Sequence, residues 1–209
     1  YGTNVFGVQE DDLVSSAAKI FFAYGLGNAM TFPMSVGATT LLFAGRPTPD
    51  GVIDILASQR PTLFCGVPTL FSAMLAQLEG GAKADFELRL CISAGEALPE
   101  ATGIGWHAKT GVDILDGVGS TEMLHLFLSN CEGDVVYGTS GVAVPGYDLR
   151  LVGEDGNEVD VGEIGELLVA GESASDGYWN QLDKSRATFE GVWTRTGDKY
   201  DRRADGRYI

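Results

Sequence analysis

Short, mostly apolar runs alternate with helix-like segments through the first half of the chain, and this alternation constrains the fold most. The runs lie at residues 39–45, 62–66, 88–93 and 112–115, and each has the length of a buried strand. Strands that are joined by helices usually pair in parallel, and the helices then cover the sheet. The first part of this α/β chain is therefore predicted to be a helix-covered, largely parallel sheet.

Each connecting segment carries its own helix signal. Thr48 is a predicted N-cap, with Pro49 at the first helical position. Pro68 is predicted to begin a second helix, whose apolar residues share one face and which ends near Gly80. A third helix is predicted over residues 98–110.

The pattern changes near residue 130, where β-like runs and turn signals replace the alternation. Asp155 and Gly156 form a hairpin signal, and one helix is predicted near residues 182–189. The β-like runs lie at residues 147–152, 165–171 and 191–198. We therefore predict two parts: an α/β part over residues 1–130 and a smaller, mainly antiparallel β part over residues 131–209.

Charge and cysteine content narrow the class of protein. The net charge of −15 over 209 residues, with the acids spread along the chain, argues against a nucleic-acid partner and against an anionic membrane. The three cysteines are far apart in sequence and are predicted to be buried free thiols in a reducing cytoplasm. The two histidines form no cluster with the cysteines at zinc-site spacing.

Residues 20–45 carry no charge and are long enough to span a bilayer. Several glycines and Pro33 interrupt any continuous helix in this segment. We therefore predict a turn, a buried helix and a buried strand, and no membrane span.

Two glycine-containing turns mark the carboxyl ends of predicted strands, where ligands collect in open α/β sheets. They lie at residues 93–99 and 116–122. Glycine allows close backbone approach, and exposed N–H groups bind oxyanions. Ser120 and Thr121 add hydroxyl groups, and the Glu122 carboxylate suits Mg²⁺. Taken alone, each turn also fits an ordinary capped turn.

A third mark is Thr-Gly-Asp at residues 196–198, whose carboxylate suits the vicinal hydroxyls of a ribose, although an ordinary hairpin turn has the same sequence. In this order the motifs resemble the adenylate-forming acyl- and aryl-CoA ligases, over essentially the whole chain. The segments that carry the resemblance are FFAYGLGNAMTFP (21–33), SAGEALP (93–99), GSTE (119–122), GELLVAGESASDGYWN (165–180) and TRTGD (194–198). Within that family, the segments at 21–28 and 116–130 are most similar to benzoate–CoA ligases.

The resemblance implies that an aromatic carboxylate reacts with ATP to give an acyl-adenylate, which CoA then converts to the thioester. Thr121 and Glu122 are the implied catalytic residues, and Glu122 is also the implied Mg²⁺ ligand. The implied nucleotide-binding residues are Gly95, Glu96, Ala97, Asp116, Gly117, Val118, Gly119, Ser120, Thr121 and Asp198. The implied acid pocket consists of Ala23, Tyr24, Ala94, Gly95, Leu124 and His125. The resemblance is compatible with a homodimer.

The chain also departs from the family pattern. Val118 stands where many members carry Tyr, and Phe22 replaces a His. The family's Lys-containing phosphate loop and its C-terminal lysine domain would lie outside residues 1–209, so the isolated chain is expected to be inactive. A nucleotide-binding dehydrogenase is disfavoured, because the glycine pattern that begins at Gly117 lacks its last glycine.

Several alternatives remain open at this point. The acid could be another carboxylate, or the chain could be an inactive module that binds nucleotide or acid. Tyr24 and Leu124 could be ordinary core residues, and His125 could be a structural histidine.

Overall fold

The computed structural model describes residues 1–82 and 84–209, and its first seven strands form a single sheet. These strands are β1 Leu13–Ser16, β2 Thr39–Leu42, β3 Leu63–Gly66, β4 Leu90–Ala94, β5 Ile114–Gly119, β6 Leu126–Ser129 and β7 Val142–Ala143. Their spatial order is β2-β1-β3-β4-β5-β6-β7. Strands β1 to β5 are parallel, whereas β6 and β7 pair in antiparallel. The predicted largely parallel sheet is confirmed.

Helices cover both faces of this sheet. The helical segments are α1 Ala23–Leu26, a π-helical turn Gly27–Thr31, α2 Phe32–Val36, α3 Pro49–Gln59, α4 Pro68–Glu79, α5 Glu100–Thr110 and α6 Leu182–Thr188. Helices α3, α4 and α5 enclose one core with Phe64 and Cys91 of the sheet. Residues of α1 and α2 pack on the opposite core, which includes Val14 and Leu63. The helical connections between the strands thus lie on both faces of the sheet. The strand order reverses between β1 and β3.

Four further strands form the second, antiparallel sheet. They are β8 Tyr147–Val152, β9 Gly165–Gly171, β10 Phe189–Glu190 and β11 Trp193–Tyr200. Their order is β10-β11-β9-β8, and every pairing is antiparallel. This sheet confirms the predicted β-rich second part. The first sheet continues past residue 130, because β7 pairs with β6 before β8 begins.

Local signals place the helices correctly. The Thr48 hydroxyl accepts a hydrogen bond from the Gly51 N–H at 3.3 Å, and Pro49 occupies the first turn of α3. The predicted apolar face of α4 is buried against the sheet. Among the described residues, no helix is long and apolar enough to cross a membrane.

The prediction for β5 was wrong at both ends. The strand begins at Ile114 and continues through Gly119, so residues 116–119 are strand rather than turn. β6 pairs closely with this segment: a Cβ on Gly117 would lie 2.8 Å from the Leu128 carbonyl oxygen, and one on Gly119 would lie 2.3 Å from the His125 carbonyl oxygen. These glycines therefore permit the close approach of a neighbouring backbone.

The prediction of a buried strand after residue 38 was also wrong. β2 forms an edge of the first sheet, and Leu42 is 62% exposed. The predicted buried helix before it is divided into two short helices and the π-helical turn. Cys65 and Cys91 are buried free thiols as predicted, whereas Cys131 is half-buried.

Candidate functional site

A cavity of about 700 Å³ lies at the carboxyl ends of the parallel strands. Residues that directly follow β1, β3 and β4 line it, together with the end of β5. The cavity therefore adjoins the point where the strand order reverses, which is the usual ligand position in such sheets. Most of its lining is apolar, and the polar groups include Ser120 and Thr121.

Tyr24 and His125 form an aromatic wall of the cavity. Their ring centroids are 5.6 Å apart, and the rings are stacked. The Tyr24 hydroxyl hydrogen is shared between the carbonyl oxygens of Gly66 at 3.1 Å and Ile92 at 3.2 Å, which fixes the ring against β3 and β4. A Cβ on Gly27 would lie 2.4 Å from the His125 ring, so this wall requires glycine in the π-helical turn.

His125 is an uncharged member of this wall. It is only 6% exposed, and burial lowers its pKa to about 4. Its Nε2 lies 3.4 Å from the Tyr24 carbonyl oxygen, which can only accept, so the ring proton is on Nε2. Nδ1 is then an acceptor, and it has no hydrogen-bond partner among the described residues.

The structure brings five of the six predicted acid-pocket residues to the cavity. Ala23, Tyr24, Ala94, Gly95 and His125 line it. Leu124 does not, because its backbone adopts a left-handed φ of 71° and its side chain is 59% exposed. Phe22 also lines the cavity.

The predicted nucleotide-binding residues occupy three different environments. Gly95, Gly119, Ser120 and Thr121 line the cavity, and Glu96 and Ala97 are exposed on the adjacent turn. Val118 packs against the core between the two sheets, and Gly117 is buried beside β6 in the first sheet. Asp198 lies on β11 and is exposed.

Asp116 supports the turn that follows β4. Its Oδ2 accepts a hydrogen bond from the Leu98 N–H at 3.3 Å, whereas Oδ1 has no partner among the described residues. Burial raises the pKa of this carboxyl group to about 7. The carboxyl group thus lies under the turn formed by Gly95, Glu96 and Ala97.

We expect the difference in free energy of unfolding between Asp116→Asn and the unsubstituted protein to favour the variant more at pH 8 than at pH 5. Between about pH 4, where an unfolded Asp ionises, and about pH 7, folded Asp116 retains a proton that the unfolded chain has lost. The free energy of unfolding of the unsubstituted protein therefore falls as pH rises through this window. Asn cannot ionise and keeps an oxygen for the Leu98 N–H.

Urea unfolding at both pH values measures this effect. Asp54→Asn, an exposed change on α3, is the control. If Asp116→Asn and Asp54→Asn show the same pH dependence, the carboxyl group of Asp116 ionises normally and the interpretation is wrong.

Glu122 is held by the segment that precedes α6. Its Oε1 accepts a hydrogen bond from the Tyr178 hydroxyl at 2.6 Å, and the Lys184 ammonium lies 4.0 Å from the centroid of the Tyr178 ring. Partial burial acts to raise the pKa of Glu122, but the Tyr178 hydroxyl and further hydrogen bonds outweigh it, and the net pKa is lowered. The Glu122 side chain is therefore an anion at neutral pH.

A single carboxylate fits Mg²⁺, which is often bound by one or two carboxylates together with substrate phosphates and water. The described residues contain no group of three or more His, Cys, Asp or Glu side chains arranged to hold a metal ion by themselves. A divalent cation at Glu122 would therefore need further ligands from a bound phosphate and from water.

Sequence patterns did not reveal several residues of the site. Lys19, Pro47, Pro49, Thr69 and Ala73 also line the cavity, and they come from three separate segments. Tyr178 had a signal, because it belongs to the Gly-Tyr-Trp segment, but its contact with Glu122 joins residues 56 positions apart. The Lys19 position carried no such signal.

An open, doubly wound sheet with a cavity at the carboxyl ends of its strands is typical of ligand-binding α/β proteins, and comparison with known proteins identifies the family. Residues 1–179 match the family model described as AMP-binding enzyme. The chain belongs to this family.

Two relatives of this chain are named as aryl-CoA ligases. The chain is 60% identical over 203 residues to the 4-hydroxybenzoate–CoA/benzoate–CoA ligase of Rhodopseudomonas palustris, a match that covers 97% of this chain and 38% of that protein. It is 55% identical to the benzoate–CoA ligase of Thauera aromatica, over 100% of this chain and 40% of that protein. The chain thus spans about two fifths of the length of these relatives.

A solved structure agrees. The crystal structure of a benzoate CoA ligase from Burkholderia xenovorans LB400 superimposes with a TM-score of 0.97 at 54% identity, covering 100% of this chain and 43% of that chain. The fold predicted from the sequence is therefore the fold of a crystallised member of the family.

Proposed function

We propose that this chain is part of an ATP-dependent benzoate–CoA ligase. The reaction converts an aryl carboxylate, ATP and CoA to aryl-CoA, AMP and pyrophosphate through an acyl-adenylate. The observation that carries the proposal is the apolar cavity with its Tyr24–His125 wall, which ends at the hydroxyl-bearing residues Ser120 and Thr121.

The acid side of the cavity suits a flat, uncharged ring. Tyr24 and His125 offer aromatic surface, and Ala23 and Ala94 are small enough to leave room beside them. Because the His125 ring is neutral, it does not attract a carboxylate by charge. The carboxylate is therefore expected at the polar end, beside Thr121.

The polar end supports nucleotide binding. In this proposal Thr121 contacts phosphate, Glu122 holds Mg²⁺, and Asp198 binds the ribose hydroxyls. Mg²⁺, when bound, neutralises phosphate charge while the acid attacks, and the protein positions the two reactants. In this proposal the exposed residues Glu96 and Ala97 lie against the adenine. The proposal also includes a cytoplasmic location, which the free cysteines support, and a homodimer.

One observation favours 4-hydroxybenzoate as a second acid. The relative from Rhodopseudomonas palustris bears both acids in its name. Measuring kcat/KM of the full-length protein for benzoate, 4-hydroxybenzoate and hexanoate tests the acid assignment. A preference for hexanoate would overturn it.

We expect Tyr24→Ala in the full-length protein to lower kcat/KM for benzoate by about 1–3 kcal/mol of transition-state stabilisation and to favour bulkier, ring-substituted acids. The change removes the aromatic wall beside His125 and opens the cavity. The measurement is kcat/KM for benzoate and for a ring-substituted benzoate, with a melting curve for each variant.

Tyr24→Phe is the matched control. It keeps the ring but loses the hydrogen bonds to Gly66 and Ile92, so it should lower stability and leave the ratio of the two acids unchanged. If Tyr24→Ala also lowers only the melting temperature, Tyr24 is a core residue and not part of the acid site.

A further inference from the structure

Lys19, which follows β1, forms hydrogen bonds with the loop between β2 and α3. Its Nζ donates to the carbonyl oxygens of Phe43 and Gly45, each at 2.5 Å. Lys19 follows β1, whereas both carbonyl groups follow β2, so the contact joins two strand ends at the same edge of the sheet. Within residues 1–82 and 84–209, no other hydrogen bond is found for residues 44–47.

The same loop forms part of the cavity wall. Pro47 and Pro49 line the cavity, as does Lys19 itself. The loop is anchored at one end by Phe43, which packs on the core beneath α3, and at the other by the start of α3. Between these anchors, Ala44 and Gly45 are exposed, and the Lys19 ammonium contacts the Gly45 carbonyl oxygen.

Lys19 is the only charged side chain among the described lining residues. Two of the three N–H donors of its ammonium group are used by carbonyl oxygens of the loop, so the side chain links this wall to the end of β1. Without the ammonium, both carbonyl groups can turn to solvent and the loop can move outward. An unsubstituted ring then loses contact, and a longer ring gains space.

We propose that Lys19 is a positioning residue that sets the size of the acid pocket by holding the 43–47 loop, and that it thereby selects small aromatic acids over ring-extended ones. The proposal rests on the proposed function, because the cavity receives an aromatic acid only in an aryl-CoA ligase. The tie between Lys19 and the loop does not depend on catalysis and can be tested separately.

The first test compares two acids in the full-length protein. Lys19→Met keeps the apolar stem and removes the donors. We expect the kcat/KM ratio of 4-ethylbenzoate to benzoate to rise about 10-fold, the scale at which a pocket distinguishes a small apolar group. Lys19→Arg retains donors for both carbonyl groups and should stay within about 2-fold of the unsubstituted ratio. Lys109→Met, an exposed change on α5, is the control.

The second test reads the loop without any reaction. A nitroxide label on Ala44→Cys, in a Cys131→Ser background because Cys131 is the half-buried thiol, reports loop motion by electron paramagnetic resonance. The label should be restricted with Lys19 or Arg and mobile with Met. Lys19→Gln replaces Lys19→Met if the latter does not fold, as judged by its melting curve.

An unchanged acid ratio or an unchanged label spectrum in Lys19→Met would overturn the proposal. If the unsubstituted protein makes no benzoyl thioester, the proposed function fails. The label spectrum then still decides whether Lys19 holds the loop.

Discussion

Glu122→Gln in the full-length protein is expected to slow pyrophosphate release from benzoate and ATP by about 10²–10⁴-fold. The change removes the negative charge that would hold Mg²⁺ against the phosphates. It keeps a side-chain oxygen for the Tyr178 hydroxyl, so the contact at 2.6 Å survives and the fold should be unaffected. The measurement is the single-turnover rate of pyrophosphate release in the absence of CoA.

Glu172→Gln is the matched control, because Glu172 is exposed just after β9. It should leave the rate unchanged. A normal rate of pyrophosphate release in Glu122→Gln, with an unchanged melting curve, would show that Glu122 does not hold the metal.

The largest expected effect on stability is at Asp12. This carboxylate is 5% exposed and accepts hydrogen bonds from Arg89 at 2.6 and 3.0 Å and from the Thr62 hydroxyl at 2.6 Å. The three residues immediately precede β1, β3 and β4, so the cluster ties together the amino ends of three strands. We expect Asp12→Asn to lower the free energy of unfolding by about 3 kcal/mol, near the lower end for breaking a buried pair, because Arg89 is partly exposed.

The effect should depend on pH in a defined direction. Burial acts to raise the pKa of Asp12. The hydrogen bonds from Arg89, Thr62 and the Gln9 N–H together outweigh burial, so the net pKa lies below its ordinary value. The stabilisation is therefore present above about pH 4, the unfolded value, and is lost as pH falls through the lowered folded pKa.

Urea unfolding at neutral and acidic pH checks both statements, and the neighbouring, exposed Asp11→Asn is the control. Equal losses of stability in Asp11→Asn and Asp12→Asn at neutral pH would contradict the role of the cluster.

The sequence predicted the elements whose signals are local. Thr48 and Pro49 mark the start of α3 whatever surrounds them, and the apolar residues of α4 face the core because their spacing follows the helical period. The position of the site also followed from the sequence. In a parallel sheet, residues that follow different strands meet at one edge, which is where Ala94 and Thr121 line one cavity.

Elements that depend on partners distant in sequence were less predictable. Gly117 and Gly119 look the same in a phosphate-binding turn and in a strand that a neighbour approaches closely, and only the pairing with β6 separates the two. The exposure of Leu42 depends on the position of β2 at the sheet edge, which the apolar run does not reveal.

In the site, too, contacts between residues distant in sequence could not be predicted. The contact of Lys19 with the loop after β2 and that of Tyr178 with Glu122 arise only when distant segments fold together. The family resemblance placed Leu124 in the pocket, but its left-handed backbone turns its side chain outward. Neighbours in sequence at a tight turn need not share a site.

The most direct test of the proposed activity is product analysis with the purified full-length protein. In the absence of CoA, benzoate and MgATP should give benzoyl-AMP and pyrophosphate in equal amounts. Addition of CoA should then convert the benzoyl-AMP to benzoyl-CoA and AMP. Formation of ADP and phosphate in place of AMP and pyrophosphate, or failure of the folded protein to form benzoyl-AMP, would contradict the assignment of this chain to an adenylate-forming benzoate–CoA ligase.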